Sequence, residues 1–170
     1  MRHGEPITAG YAMIVRDDIP TGLSYEALVA AFERQMGRWD PYIGNLLVQQ
    51  QASWQQVESA VKQMEGPHGL MIFSEVNQGE ILSLQGGIKQ SRLYLVGNPL
   101  IAEPILTIDR RASLYVPFRV TLYDNGSPRG AIISFDRPSS FLGALHQPAL
   151  APYGKLLDAK IYSVVRAIMM

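Results

Sequence analysis

The 170-residue sequence contains no cysteine. That absence excludes disulfides, cysteine-ligated zinc, iron–sulfur clusters and a thiol nucleophile. A charge excess is missing too. Fifteen basic residues balance fifteen acidic ones, and nowhere do three basic residues run together. A phosphate backbone calls for a cationic surplus, so nucleic acid is not an expected partner. Long apolar runs are also lacking. The N-terminal stretch MRHGEPITAGYAMIVRDDIP holds five consecutive apolar residues, Tyr11–Val15. A secretory core needs roughly 7–15 and a membrane span about 20. The expectation is a cytoplasmic protein with no membrane partner. Histidines number three, His3, His68 and His146, and their spacing matches no metal motif. No metal and no cofactor are expected. His68 and His146 read as loop residues, with a shared metal or haem site as the lesser alternative. A Gly-x-Ser-x-Gly elbow is absent, and LQGGIKQS (Leu84–Ser91) has neither phosphate-loop spacing.

What is present describes a folded domain: 47% of residues are apolar and 18% charged, well away from a disordered composition. Residues 11–16 read as a short strand. Ser24 reads as an N-cap for an amphipathic helix over 25–38, with Leu28, Ala31, Phe32, Met36 and Trp39 on one face and Asp40-Pro41 as its stop. Residues 46–51 are a plausible strand. Ser53 and Gln56 form a capping box for a second helix bearing Trp54, Val57, Val61 and Met64, ended by Gly66-Pro67. Three short strands are then predicted, 69–76, 80–85 and 92–96, as an antiparallel meander, because connections this short cannot make a parallel crossover. Asn98 reads as the N-cap of a helix over 99–110, with Pro99 at its first position and Pro104 limiting its regularity. Strands over 114–123 and 130–135 flank the hairpin signal Asp124-Asn125-Gly126. A Pro- and Ser-rich stretch leads to a terminal helix over 153–168.

Three stretches carry a resemblance. LYLVGNPLIAEPIL (Leu93–Leu106) is a strand ending in Gly-Asn-Pro before a small helix. ASLYVPFRVTLYDNG (Ala112–Gly126) has Val116-Pro117-Phe118-Arg119 where a Leu-Pro-Leu-Arg/Lys pattern would stand. GAIISFDRPSSFL (Gly130–Leu142) places an aromatic and a proline just after a strand. In this order and spacing they resemble the domain-of-unknown-function 302 family over about residues 45–168. The resemblance implies an α+β fold: a curved antiparallel sheet with helices packed on one side, in a TATA-binding-protein-like β-α-β(3)-α-β(2)-α order. It implies a homodimer and no established reaction. Two departures stand out. Where the family carries a histidine after its second strand, this chain has Glu75-Val76-Asn77. Residues 1–44 have no counterpart, so they read as an N-terminal extension with one amphipathic helix on an α+β domain of residues 45–170. Phe32 and Trp39 in that extension are apolar surface beyond the needs of one sheet, and so also suggest self-association.

The candidate site rests on charged residues in apolar strands. Glu75 lies in LMIFSEV, where strand alternation groups it with Met71 and Phe73. Arg119 lies among Val, Phe and Leu and cannot be buried alone. The two are expected to pair, or Arg119 to pair with Asp136, as a structural ion pair or as the floor of a cleft. Asn98, Arg119, Glu75 and Asp136 form the expected ligand-binding set. Three functions stay open: a non-enzymatic small-ligand-binding or accessory module acting as a homo-oligomer, with a small anionic ligand as a candidate partner, an enzyme with Glu75 or Asp136 as general base, and a structural dimer module.

Overall fold

The computed structural model describes residues 7–170. Its strands are β1 (Arg16–Pro20), β2 (Gly37–Arg38), β3 (Met71–Val76), β4 (Gln90–Gly97), β5 (Phe118–Asp124) and β6 (Ile132–Asp136). They make one mixed sheet in the order β1-β6-β5-β4-β3-β2. Every neighbouring pair is antiparallel except β2 and β3, whose two-residue ladder is parallel. The helices are α1 (Tyr25–Arg34), α2 (Pro41–Gln49), α3 (Trp54–Met64), α4 (Gln78–Leu82), α5 (Pro99–Ile108), α6 (Pro138–Gly143) and α7 (Ala151–Met169). The architecture is the α+β class expected.

Local chemistry explains the element boundaries. Ser24 Oγ accepts from the Ala27 N–H and starts α1. Ser53 and Gln56 close the capping box of α3 reciprocally, at 3.3 and 2.8 Å. Asn98 Oδ1 accepts from the Leu100 N–H at 2.9 Å, and Pro99 opens α5. α5 runs through Pro104, which falls in its second turn. The hairpin between β5 and β6 turns at Gly126, whose φ of +76° suits glycine, while Asp124 Oδ1 accepts its N–H.

The core lies against one face of the sheet. Tyr94 and Val96 on β4, Phe118, Val120 and Leu122 on β5, and Ile133 and Phe135 on β6 are all buried. They meet Leu28 and Phe32 of α1, Ile105 of α5 and Leu157, Ile161 and Val164 of α7. Each such side chain contributes on the order of 1.5–3 kcal/mol by leaving water. The opposite face carries Leu93, Leu95, Arg119, Thr121 and Tyr123, none of them fully buried.

Several expectations are corrected. Residues 46–51 are not a strand but belong largely to α2. Asp40-Pro41 does not stop α1, which ends at Arg34, but starts α2, since Asp40 Oδ1 caps the Tyr42 N–H at 2.9 Å. The middle strand of the meander, 80–85, is also helical: Asn77 Oδ1 accepts from the Glu80 N–H, and a single turn of 3₁₀ helix, Ser83–Gln85, follows α4. β3 and β4 therefore pair directly. The first strand sits at 16–20 rather than 11–16, where its pairing with β6 aligns Asp17 with Phe135 and Ile19 with Ile133. α1 stops at Arg34, and Gly37–Arg38 joins the sheet. Arg110–Leu114 forms a 3₁₀ turn, and β5 begins only at Phe118, after a cis Val116–Pro117 bond. β1 shares the sheet and α1 the core with the rest of the chain.

Candidate functional site

Glu75 and Arg119 do not meet. The β3–β4 register shifts between Ile72 and Ser74, so Ile72 pairs with Val96 and Glu75 with Tyr94, both core-facing. Arg119 pairs with Leu95 on the other face. Glu75 instead bridges two other arginines, Arg38 at 3.3 Å and Arg92 at 4.0 Å. Glu33 of α1 reaches the same pair at 3.4 and 3.6 Å. The Tyr94 hydroxyl donates to Glu33 Oε1 at 2.8 Å, and burial, with the Glu33 carboxylate beside it, pushes its pKa up. Burial likewise raises that of Tyr25. This ring of two carboxylates and two guanidiniums ties α1, β2, β3 and β4 together. Both oxygens of Glu75 lie within 4.0 Å of a guanidinium.

Asn98 is buried and its amide is fully committed. It caps α5 through Oδ1, and its Nδ2 donates to Glu65 Oε2 at 2.8 Å and to the Gly69 carbonyl at 2.9 Å. Residues expected to surround one pocket thus line two cavities. Asn98 borders an apolar one of about 210 Å³ under α5. Arg119 and Asp136 border a groove of about 470 Å³ with Leu95, Leu114, Tyr115 and Phe141. The two cavities share only Pro117 and Phe118. Tyr115 stacks on Phe141 with ring centroids 5.4 Å apart and stiffens the groove wall. Arg119 is exposed, and no carboxylate among the described residues lies within 4.0 Å of it.

The histidines separate. His68 Nε2 lies 2.9 Å from Gln35 Oε1, and Nδ1 lies 2.8 Å from Ser163 Oγ, joining the end of α1 to α7. His146 lines a different hollow beside Ser139 and Lys155. His3 falls outside the described residues. No group of three or more His, Asp or Glu side chains arranged to hold a metal occurs among the described residues. None of their helices is long and apolar enough to cross a membrane.

Sequence reasoning missed two features. Arg92 carries the same signal that marked Glu75 and Arg119, a charge in an apolar strand, RLYLV. The other is a latch between the sheet and the C-terminal helices. Arg137 grips Asp17 through two bonds of 2.8 Å, and the Tyr162 hydroxyl donates to the same carboxylate. The Arg137 hydrogen bond above all holds the Asp17 carboxyl below its ordinary pKa, with Tyr162 adding to it against the opposing cost of burial. Two residues so distant in sequence offer no local pattern.

Comparison with known proteins agrees with the fold. No curated protein matches the chain. A crystal structure of an uncharacterized conserved protein DUF302 from Bacillus stearothermophilus is similar, with a TM-score of 0.62 at 14% identity, covering 89% of this chain and 96% of that one. At that identity the likeness speaks for the fold alone. The family model "Domain of unknown function DUF302" matches residues 46–168. That stretch holds the strand ending at Gly97-Asn98-Pro99, the Pro117–Arg119 segment and the closing β6–α6 turn. The chain belongs to the DUF302 family.

Proposed function

We propose that this protein is a non-enzymatic binding module for a small amphipathic anion, taken in the groove on the open face of the sheet. Arg119 meets the anionic group, and Leu95, Leu114, Tyr115 and Phe141 take the apolar part. One observation carries the reading. Among the described residues no carboxylate lies within 4.0 Å of the Arg119 guanidinium, which is set in the wall of a largely apolar groove of about 470 Å³. Other arginines in the sheet and its edges, Arg38, Arg92 and Arg137, are matched to acids. A fork of donors of this kind suits a carboxylate or phosphate bidentately. Asp136 in the same groove offers an acceptor to any donor the ligand carries. Calorimetric titration with 4-phenylbutyrate, against 4-phenylbutanol as the neutral control, tests it. The carboxylate should bind and the alcohol bind at least tenfold more weakly. Arg119→Met should abolish the difference while leaving the melting temperature nearly unchanged. Equal binding of acid and alcohol, or retention by Arg119→Met, refutes the reading.

The same proposal has the module act as a homodimer. Phe32 and Trp39 do not support this, since Phe32 is core and Trp39 stacks on Phe73. Exposed Val76, Ile81, Leu82, Leu84 and Ile88, gathered on the end of β3 and its connection to β4, support it instead. Light scattering that finds only monomer at tens of micromolar, a concentration that would populate a micromolar dimer, counts against it.

A further inference from the structure

We propose that the cavity beneath α5 is a binding site for an uncharged hydrocarbon group of about the size of a benzene ring or a short branched chain. Its volume is about 210 Å³. An engineered apolar cavity of ~150 Å³ in another protein stays dry and admits benzene. The walls here come from Phe73, Ile101, Ile105, Leu106, Phe118 and Leu157. Asn98 supplies the single polar side chain, and both ends of its amide are taken by Glu65, Gly69 and the Leu100 N–H. Gly97, which also borders the cavity, is paired with Met71 in the sheet. Water entering the cavity would therefore find no side-chain partner, whereas a hydrocarbon needs none.

The space is built into the fold because α5 cannot settle onto the sheet to close it. The start of the helix is fixed by Asn98 to the segment Glu65–Gly69. Beyond its end, Asp109 caps the Arg111 N–H and holds the Arg111 guanidinium, which also reaches the Leu145 carbonyl. Between these anchors, Ala102 presents a small side chain to the cavity. Phe73, Ala102 and Leu106 are only partly buried, which leaves an entrance between α5 and the Phe73 edge. Phe73 also stacks on Trp39, with centroids 5.5 Å apart and planes 21° off parallel. The indole thus reports on the cavity wall.

The site is distinct from the Arg119 groove, with which it shares only Pro117 and Phe118, and its test separates the two. Trp54→Phe leaves Trp39 as the only tryptophan. Toluene titrated into that protein should change Trp39 emission saturably, with a dissociation constant of roughly 0.1–1 mM for so small a ligand. It should also shift the methyl resonances of Ile105 and Leu157. Adding Ala102→Phe should fill the cavity, weaken the toluene response at least tenfold and leave the Arg119-dependent binding of 4-phenylbutyrate intact. Should the phenylalanine disturb folding, Ala102→Leu serves in the same direction. Arg119→Met should leave the toluene response unchanged. Unmoved Ile105 and Leu157 methyls near toluene saturation overturn the proposal, as does a folded Ala102→Phe or Ala102→Leu protein with an undiminished response.

Discussion

Asn98 is a ligand candidate by position and a structural keystone by its contacts, and two substitutions distinguish the roles. Asn98→Ala removes an N-cap, which costs about 1 kcal/mol. It also strips a donor from the Glu65 carboxylate, about 1.5–3 kcal/mol, and one from the Gly69 carbonyl, about 0.5–1.5 kcal/mol. One amide makes all three contacts, so the losses overlap, and a total near 2–4 kcal/mol is expected. In a chain of this length that lowers the melting temperature by roughly 5–15 °C. Asn98→Asp is the sharper test. Aspartate caps helices as well as asparagine does, so a residue needed only as a cap would tolerate the change. Here it would set a second carboxylate where Nδ2 now lies, 2.8 Å from Glu65 Oε2. Two carboxylates that close cannot both stay ionised without cost. At pH 7 the loss should equal or exceed that of Asn98→Ala. As pH falls into the carboxylate range the aspartate variant should recover relative to wild type, and the alanine variant should not. Urea denaturation followed by far-ultraviolet circular dichroism at pH 7 and pH 4 measures both. An Asn98→Asp protein within about 0.5 kcal/mol of wild type at pH 7, the usual reach of a harmless surface change, refutes the tie to Glu65.

Two further expectations follow from packing and from titration. Because the Asp17 carboxyl is held below its ordinary value of 3.8 chiefly by Arg137, its contribution to stability is complete above that pH and lost as pH falls below it. Asp17→Asn should therefore flatten the acid limb of stability against pH, and an unchanged limb would disprove the assignment. Gly154→Ala should lower the melting temperature although alanine is the better helix former by about 1 kcal/mol. Its Cβ would lie 2.7 Å from Ser139 Cα where α6 crosses α7, and overpacking of this kind costs about 1–3 kcal/mol. A raised melting temperature would show that the two helices can part freely.

Where a side chain speaks directly to its own backbone, the fold is readable from sequence. Ser24, the Ser53–Gln56 box, Asn98-Pro99 and the Asp124–Gly126 turn each act within a few residues, and each stands where expected. The failures share a different cause. Leu46–Gln51 and Glu80–Gln85 are short apolar-bearing runs that fit a strand or a helix, and flanking caps decided them. Asn77 and Asp40 are those caps, but each also makes sense as a turn or stop. Gly79 has a tertiary reason: a Cβ there would strike the Lys89 carbonyl, so the helical turn lies flush on the chain entering β4. Such a contact has no sequence signature.

The candidate site was legible in its parts and not in its pairing, and one residue accounts for the difference. Strand alternation holds along β4 and β5, where Tyr94 and Val120 face the core and Leu95 and Arg119 face away. On β3 it would group Glu75 with Met71 and Phe73. The bulge between Ile72 and Ser74 inserts Phe73 and inverts the parity beyond it. Glu75 thereby turns toward the helices, where Arg92 comes from the facing strand, Arg38 from β2, and Glu33 from α1. The displaced Phe73 closes one side of the apolar cavity and stacks on Trp39. Arg119, deprived of its expected partner, is left in the wall of the other groove. A regular strand would have put Glu75 on the face of Arg119 and removed Phe73 from the cavity wall. Both proposed binding sites therefore depend on that one inserted residue. Deleting Phe73 should disturb both at once, whereas Phe73→Leu, which keeps the bulge, should alter only the response to toluene.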